Sequence, residues 1–281
     1  MKLAFTKMHG CGNDYIYFNC FDQTVPDPEA LSVQLSRPHF GIGADGIILI
    51  SPSDIADAQM RIFNADGSEG MMCGNGIRCV GKYLYDNGMV DGRTTVTVDT
   101  LSGVKTLELT VQNGEMQSAR VDMGAAVLTP HDIPVDLDGD TVIGAPLVVD
   151  EKVYHITCVS MGNPHCVVFL NEDIDGLDLT RIGPKFEHNA LFPARINTEF
   201  VGVLPDGSLK MRVWERGSGE TWACGTGACA VGVAACLTGR AEKNQDITVH
   251  LRGGDLTVRY TDETVFMTGA ATTVFKGEIE I

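Results

Sequence analysis

"EGMMCGNGIRCVG" at residues 69–81 and "ETWACGTGACAVG" at residues 220–232 follow one template: Glu, three residues, Cys-Gly-x-Gly, three residues, Val-Gly. The two cysteines, Cys73 and Cys224, lie 151 positions apart. The same offset aligns "MRIF" at 60–63 with "MRVW" at 211–214, and Glu69 with Glu220. In each copy a strand leads through a Gly-Ser turn to a Cys-Gly-x-Gly helix start. Further back, Gly12-Asn13 and Gly162-Asn163 each precede a hydrophobic strand, offset by 150. Shared turn chemistry explains one such match; an ordered series at a nearly fixed offset points to duplicated halves with a pseudo-two-fold relation.

Around these turns the chain is rich in β-branched alternation: "TTVTVDT", "VKTLELTV", "HITCVS", "CVVFL", "LKMRVW", "DITVHL", "LTVRYT" and "TTVFKGEIEI". Such runs, punctuated by Gly, Asp and Asn, read as strands. The clearest helices open after Cys73 and Cys224 and stop at Asn-Gly and Thr-Gly. The second is small and apolar nearly all round, which predicts a helix buried within a sheet layer.

With 281 residues and 44% hydrophobic content, the chain has material for two domains with substantial cores. A formal charge of −16 argues against a nucleic-acid or anionic-membrane partner. No apolar run reaches signal-peptide or membrane-span length. Nine cysteines without a secretion signal point to free thiols in a reducing compartment, most simply the cytoplasm. No CxxC pair is present, so zinc ribbons and thioredoxin-type sites are poorly supported.

A helix N-terminus offers unpaired N–H groups and a partial positive charge. Glycines after the cysteine let an anionic ligand approach the backbone, and the helix end predicts a lowered thiol pKa. Each copy therefore supplies a poised sulfur and a cradle for a carboxylate or phosphate. Two such sulfurs suit the inversion of a tetrahedral carbon, which needs a base on one face and an acid on the other. Other readings stay open, among them a racemase of proline or hydroxyproline and a non-catalytic binding or thiol redox protein.

Over essentially its whole length the sequence resembles the diaminopimelate epimerase family. The landmarks are "HGCGNDYI", "GIGADG", "FNADGSEGMMCGNG", "MGNPHCV", "INTEFV" and "WERGSGETWACGTGA", in the family's order. The resemblance implies an α+β fold of two pseudo-symmetric domains, each a mostly antiparallel, barrel-like sheet around a central helix, with the site in the cleft between them. The expected boundaries are 1–121, rejoined by 272–281, and 122–271. It implies Cys73 and Cys224 as the catalytic pair and Gly74, Asn75, Gly225 and Thr226 as the carboxylate cradle. Asn13, Asn64, Asn163, Asn197, Glu215 and Arg216 match substrate-binding positions, with His165 and Glu215 adjusting thiol protonation. Arg216 suits a two-pronged grip on a distal carboxylate. The resemblance further implies the interconversion of LL- and meso-diaminopimelate, on the route to lysine and peptidoglycan precursors, by a cytoplasmic homodimer requiring neither cofactor nor metal. One position departs: many relatives carry glutamine where this chain has Gly46, so no side-chain contact transfers there.

The residues themselves also allow plainer roles. Asn13, Asn64, Asn163 and Asn197 sit near turns, where asparagine often bonds its own backbone. Glu215–Arg216 reads equally as a surface ion pair, and His165 as a satisfied buried imidazole. For Glu69 and Glu220 a structural hydrogen bond is the preferred reading.

Overall fold

The computed structural model describes residues 1–281. Its contacts divide the chain into two units, Met1–Asp122 with Thr268–Ile281, and Met123–Met267. The first unit runs β1 (Lys2–Gly10), β2 (Asn13–Asn19), α1 (Pro28–Ser36), β3 (Gly46–Ser51), β4 (Ala58–Asn64), β5 (Glu69–Gly70), α2 (Gly74–Asp86), β6 (Thr95–Asp99), β7 (Lys105–Gln112) and β8 (Glu115–Asp122). The second runs β9 (Ala145–Val149), β10 (Lys152–Ser160), β11 (Pro164–Leu170), α3 (Leu179–Glu187), β12 (Asn197–Val203), β13 (Leu209–Glu215), β14 (Gly219–Glu220), α4 (Gly225–Leu237), β15 (Ile247–Leu251), β16 (Gly254–Tyr260) and β17 (Val265–Ala270). Within β17 the chain returns to the first unit, where β18 (Thr272–Glu280) pairs antiparallel with β1.

The two units repeat one topology. β1–β2, β3–β4 and β6–β7 are antiparallel, and so are β10–β11, β12–β13 and β15–β16. Each unit also carries two parallel pairings: β2–β3 and β4–β6 in the first, β11–β12 and β13–β15 in the second. Parallel neighbours need a crossover, and the helices supply it: α1 and α3 bridge the first pair of each unit, α2 and α4 the second. This is the α+β architecture expected, with strands predominating.

The cysteine-led helices match residue for residue. Cys73 and Cys224 are the N-caps in extended backbone, and each sulfur accepts from the N–H three residues on, Gly76 and Gly227, at 3.3 Å. At the other end, Gly88 (φ 72°) and Gly239 (φ 69°) adopt the left-handed conformation that ends a helix. There Met89 N donates to Leu84 O at 2.9 Å and Arg240 N to Ala235 O at 2.8 Å. Gly81 and Gly232 let each helix lie close to its sheet. An added Cβ at Gly81 meets Leu107 at 2.8 Å, and one at Gly232 meets Val258 at 2.6 Å. As its composition predicts, α4 is buried from Gly227 through Ala235.

α1 and α3 carry weak sequence signals, each capped by an aspartate, Asp27 and Asp178, accepting from the third residue on. α1 covers a core of Phe5, Phe18, Leu31, Leu35, Leu49 and Phe63. α3 places Phe186 edge-on between Tyr154 and Phe200. Each such buried side chain contributes roughly 1.5–3 kcal/mol. No helix is long and apolar enough to cross a membrane.

Candidate active site

In the first unit Cys73 sits where the β4–β5 hairpin feeds α2. Arg61 on β4 holds Glu69 by two bonds, 2.7 and 3.1 Å, and so fixes the hairpin that leads to the cysteine. In the second unit Arg212 holds Glu220 at 2.8 and 3.0 Å. Both pairs obey the 151-residue offset. The two glutamates are thus structural, in the role expected of them.

The Cys73 sulfur donates to Asn13 Oδ1 at 3.3 Å, and Asn75 Nδ2 reaches the same oxygen at 3.4 Å. Asn13 Nδ2 donates to Asp45 at 2.7 Å. Burial raises the Asp45 carboxyl above its ordinary range, against the lowering effect of that amide. Asn75 is buried, and its Oδ1 has no hydrogen-bond partner. An unpaired buried acceptor costs ~1–3 kcal/mol, so this oxygen is suited to an incoming donor. Asn64, in contrast, donates to Ser68 Oγ at 3.1 Å within its own turn. At Gly46 a Cβ would lie 2.1 Å from Phe63 O. The local backbone here admits no side chain.

The second unit surrounds its sulfur differently. Cys224 Sγ contacts Thr226 Oγ1 at 3.5 Å. Close by, His165 Nδ1 meets Glu199 Oε1 at 2.7 Å, with both side chains fully buried. His165 Nε2 lies 3.0 Å from Asn163 Oδ1. One ligating atom each from His165, Glu199 and Cys224 falls within 4.8 Å of the others. Burial pushes the Cys224 thiol well above its usual pKa, and the negative charges of Glu215 and Glu199 push it further. The bonds from Thr226 and Gly227 lower it without offsetting this. The helix start alone predicts a lowered pKa; for Cys224 burial and two carboxylates reverse the sign. Burial likewise raises Glu215, opposed by a hydrogen bond from Thr221 and by His165.

Asn197 is bonded at both ends of its amide. Its Nδ2 donates to Pro164 O at 3.0 Å and its Oδ1 accepts from Arg216 N at 2.8 Å, so it holds the backbone that carries Arg216. The Arg216 guanidinium is exposed and donates to Ala194 O at 3.0 Å. Two carboxylates in this unit escape sequence reading. Glu187 accepts from Trp214 Nε1 at 2.7 Å, Gly217 N at 2.9 Å and Arg195 at 3.2 Å, and so anchors the same turn. Glu199 is the buried partner of His165. Its signal is a lone charge in the apolar strand "INTEFVGV", at the position where the first unit has Ile48.

The family model for diaminopimelate epimerase matches residues 5–129 and 157–274. The diaminopimelate epimerase of Agathobacter rectalis is 54% identical, the alignment covering 99% of this chain and 100% of that one. That of Acetivibrio thermocellus is 53% identical, covering 99% of each. Among solved structures, a hydroxyproline epimerase from Agrobacterium vitis superposes with a TM-score of 0.69 at 16% identity, covering 99% of this chain and 92% of that one. A probable proline racemase from Agrobacterium radiobacter gives 0.73 at 16% identity, with 99% and 93% covered. At that identity the likeness is one of fold.

Proposed function

The chain belongs to the diaminopimelate epimerase family, and on that premise we propose that it interconverts LL- and meso-diaminopimelate by moving the α-proton between two thiols. The observation that carries the proposal is a family match spanning both cysteine-capped helices. One sulfur removes the proton from one face of the α-carbon and the other delivers a proton to the opposite face; in the reverse reaction they exchange roles. Cys224, buried beside two carboxylates, is the thiol that carries its proton at rest. Cys73, whose sulfur donates to Asn13 Oδ1 in the structure, serves as the base once that proton has left.

An α-C–H is a weak acid, so the proton transfers alone do not suffice: general acid–base catalysis typically contributes ~10²–10⁴-fold. The remainder falls to preorganised donors aimed at the carboxylate where negative charge develops, each worth ~10²–10³-fold. The N–H groups at Gly74–Asn75 and Gly225–Thr226, at the positive ends of two 13-residue helices, fill that role. Asn75 Oδ1 is placed to accept from the substrate's ammonium group, and Asn13 holds Cys73. Arg216 grips the distal carboxylate, steadied by Asn197 and Glu187, while Asn64 completes the substrate contacts. His165, fixed between Glu199 and Asn163, tunes Cys224 together with Glu215. The same reading includes a cytoplasmic homodimer serving lysine and peptidoglycan precursor synthesis.

Incubation in deuterated water tests substrate and mechanism together. LL-diaminopimelate should gain deuterium at its α-carbon and L-proline should not. Cys73→Ala or Cys224→Ala should each abolish epimerisation. Full turnover by both variants would end the two-thiol mechanism, and labelling of proline alone would reassign the substrate.

A further inference from the structure

The cluster behind Cys224 holds more ligating chemistry than a proton transfer uses. A thiol sulfur, an imidazole nitrogen and a carboxylate oxygen converge within 4.8 Å, on residues that are 5%, 0% and 0% exposed. The second carboxylate oxygen, Glu199 Oε2, is also buried and has no hydrogen-bond partner. Sulfur, nitrogen and oxygen donors in this combination are the set that zinc takes. Tetrahedral bonds of ~2.0–2.3 Å set neighbouring donors ~3.3–3.7 Å apart. The present spacing lies within side-chain adjustment of that geometry, with Glu199 Oε2 available as a further oxygen donor. The outer contacts are in place as well, since Asn163 Oδ1 at 3.0 Å from Nε2 fixes the ring that would present Nδ1.

We propose that His165 Nδ1, the Glu199 carboxylate and Cys224 Sγ form an inhibitory site for Zn2+. The ion takes the electron pairs of sulfur, nitrogen and oxygen. The thiol proton and the proton held between Nδ1 and Glu199 leave to water, while Nε2 keeps its hydrogen toward Asn163. Thiolate and carboxylate then balance the dication's charge, and Glu215 adds a further negative charge nearby. The positive end of α4, equivalent to ~+0.5 charge, opposes the ion but is outweighed by these groups. The site is one-sided. Overlaid in strand register, Tyr15 and Ile48 stand where His165 and Glu199 do, so Cys73 faces a different donor set. That occupancy arrests turnover rests on the catalytic role proposed for Cys224; that the ion binds does not.

Equilibrium dialysis of the full chain with Zn2+, and absorption spectra with Co2+ as a chromophoric stand-in, separate the two statements. The expected result is one ion per chain and a thiolate-to-cobalt band, both retained in Cys73→Ala and lost in Cys224→Ser. Glu199→Gln should weaken binding by at least the ~10–100-fold that even an outer-shell partner contributes. Unchanged binding in Cys224→Ser overturns the site, as does the absence of stoichiometric binding to the parent chain. Arrest of deuterium exchange by one equivalent of Zn2+, reversed by a chelator, supports inhibition. Binding without arrest leaves the site standing and refutes its inhibitory role.

Discussion

Gly76 and Gly227 are equivalent positions, each the third residue of its cysteine-capped helix, yet alanine should be tolerated at the first and damaging at the second. In a helix interior, Gly→Ala gains ~0.5–1 kcal/mol from backbone entropy. Against this stands crowding. At Gly76 the new methyl lies 2.7 Å from Ile48 Cδ1 and 3.4 Å from Met60 Cε, both flexible tips of apolar side chains. Rotation of the isoleucine relieves most of the clash, so the net change should stay within ~1 kcal/mol of zero, the low end of overpacking costs less the helix gain.

At Gly227 the methyl lies 2.7 Å from Glu199 Oε1 and 3.2 Å from the Cys224 sulfur. The carboxylate has to retreat by several tenths of an ångström, and its 2.7 Å bond to His165 stretches toward the limit of a hydrogen bond. Overpacking costs ~1–3 kcal/mol. A weakened charge-assisted bond costs up to ~1.5–3 kcal/mol more. After the helix gain, a net loss of ~2–5 kcal/mol remains. Misplacement of the proton-bearing sulfur should also lower kcat, by ~10²-fold for a displacement approaching 1 Å. Urea denaturation and initial epimerisation rates on both variants supply the comparison. Equal losses in the two, or a Gly227→Ala variant with parental kcat, would refute the view that Glu199 positions Cys224.

Two further outcomes follow from groups outside the thiol pair. Glu187→Ala removes the acceptor for Trp214, Gly217 and Arg195 at once and should cost ~3 kcal/mol by thermal denaturation. It should also raise KM more than it lowers kcat, because the turn it anchors carries Arg216 and neither cysteine. Asp57 is held below the usual carboxylate range by Arg93, and Thr97 lowers it further, against the raising effect of burial. A depressed folded pKa contributes stability above the unfolded value of ~3.9, lost as pH falls through the folded one. The destabilisation of Asp57→Asn should therefore be full at neutral pH and shrink below pH ~4, as followed by denaturation midpoints across that range.

Strands announced themselves by alternation, and α2 and α4 by their glycine stops, because those signals lie in contiguous residues. α1 and α3 carry weaker signals for local reasons: each has only 9 residues, and Pro184 interrupts the second. Their aspartate caps at Asp27 and Asp178 were readable signals. Among the site residues, the cysteines and their glycines are legible because a helix start is a sequence-local device. The role of Asn197 is not, since its amide bonds Pro164 and Arg216 across strand pairings no local pattern reveals. Glu199 was hidden by the same cause: its burial is set by β11, β13 and α4, which no window around residue 199 includes.

The duplication itself carries the missing information once the two units are overlaid. β3–β4 pairs Ile48 with Ile62, and β12–β13 pairs Glu199 with Val213, so positions 48 and 199 are equivalent in register as well as offset. The same overlay sets Tyr15 against His165, and Asn64 against Glu215. One framework thus presents two like sulfurs to unlike surroundings. Cys73 rests over an isoleucine with an asparagine amide beside it, and Cys224 lies among two carboxylates and an imidazole. A carboxylate 4 Å from a thiolate at an effective dielectric of ~20 costs ~4 kcal/mol of repulsion, enough to fix which sulfur holds a proton. Swapping the residues, Ile48→Glu with Glu199→Ile, would then move the proton toward Cys73. Iodoacetamide, which alkylates the thiolate faster, should accordingly label Cys73 first in the parent chain and Cys224 first in the swapped one. Retention of the parental order after a swap that still folds would show that the residues beneath the helix starts do not set the asymmetry.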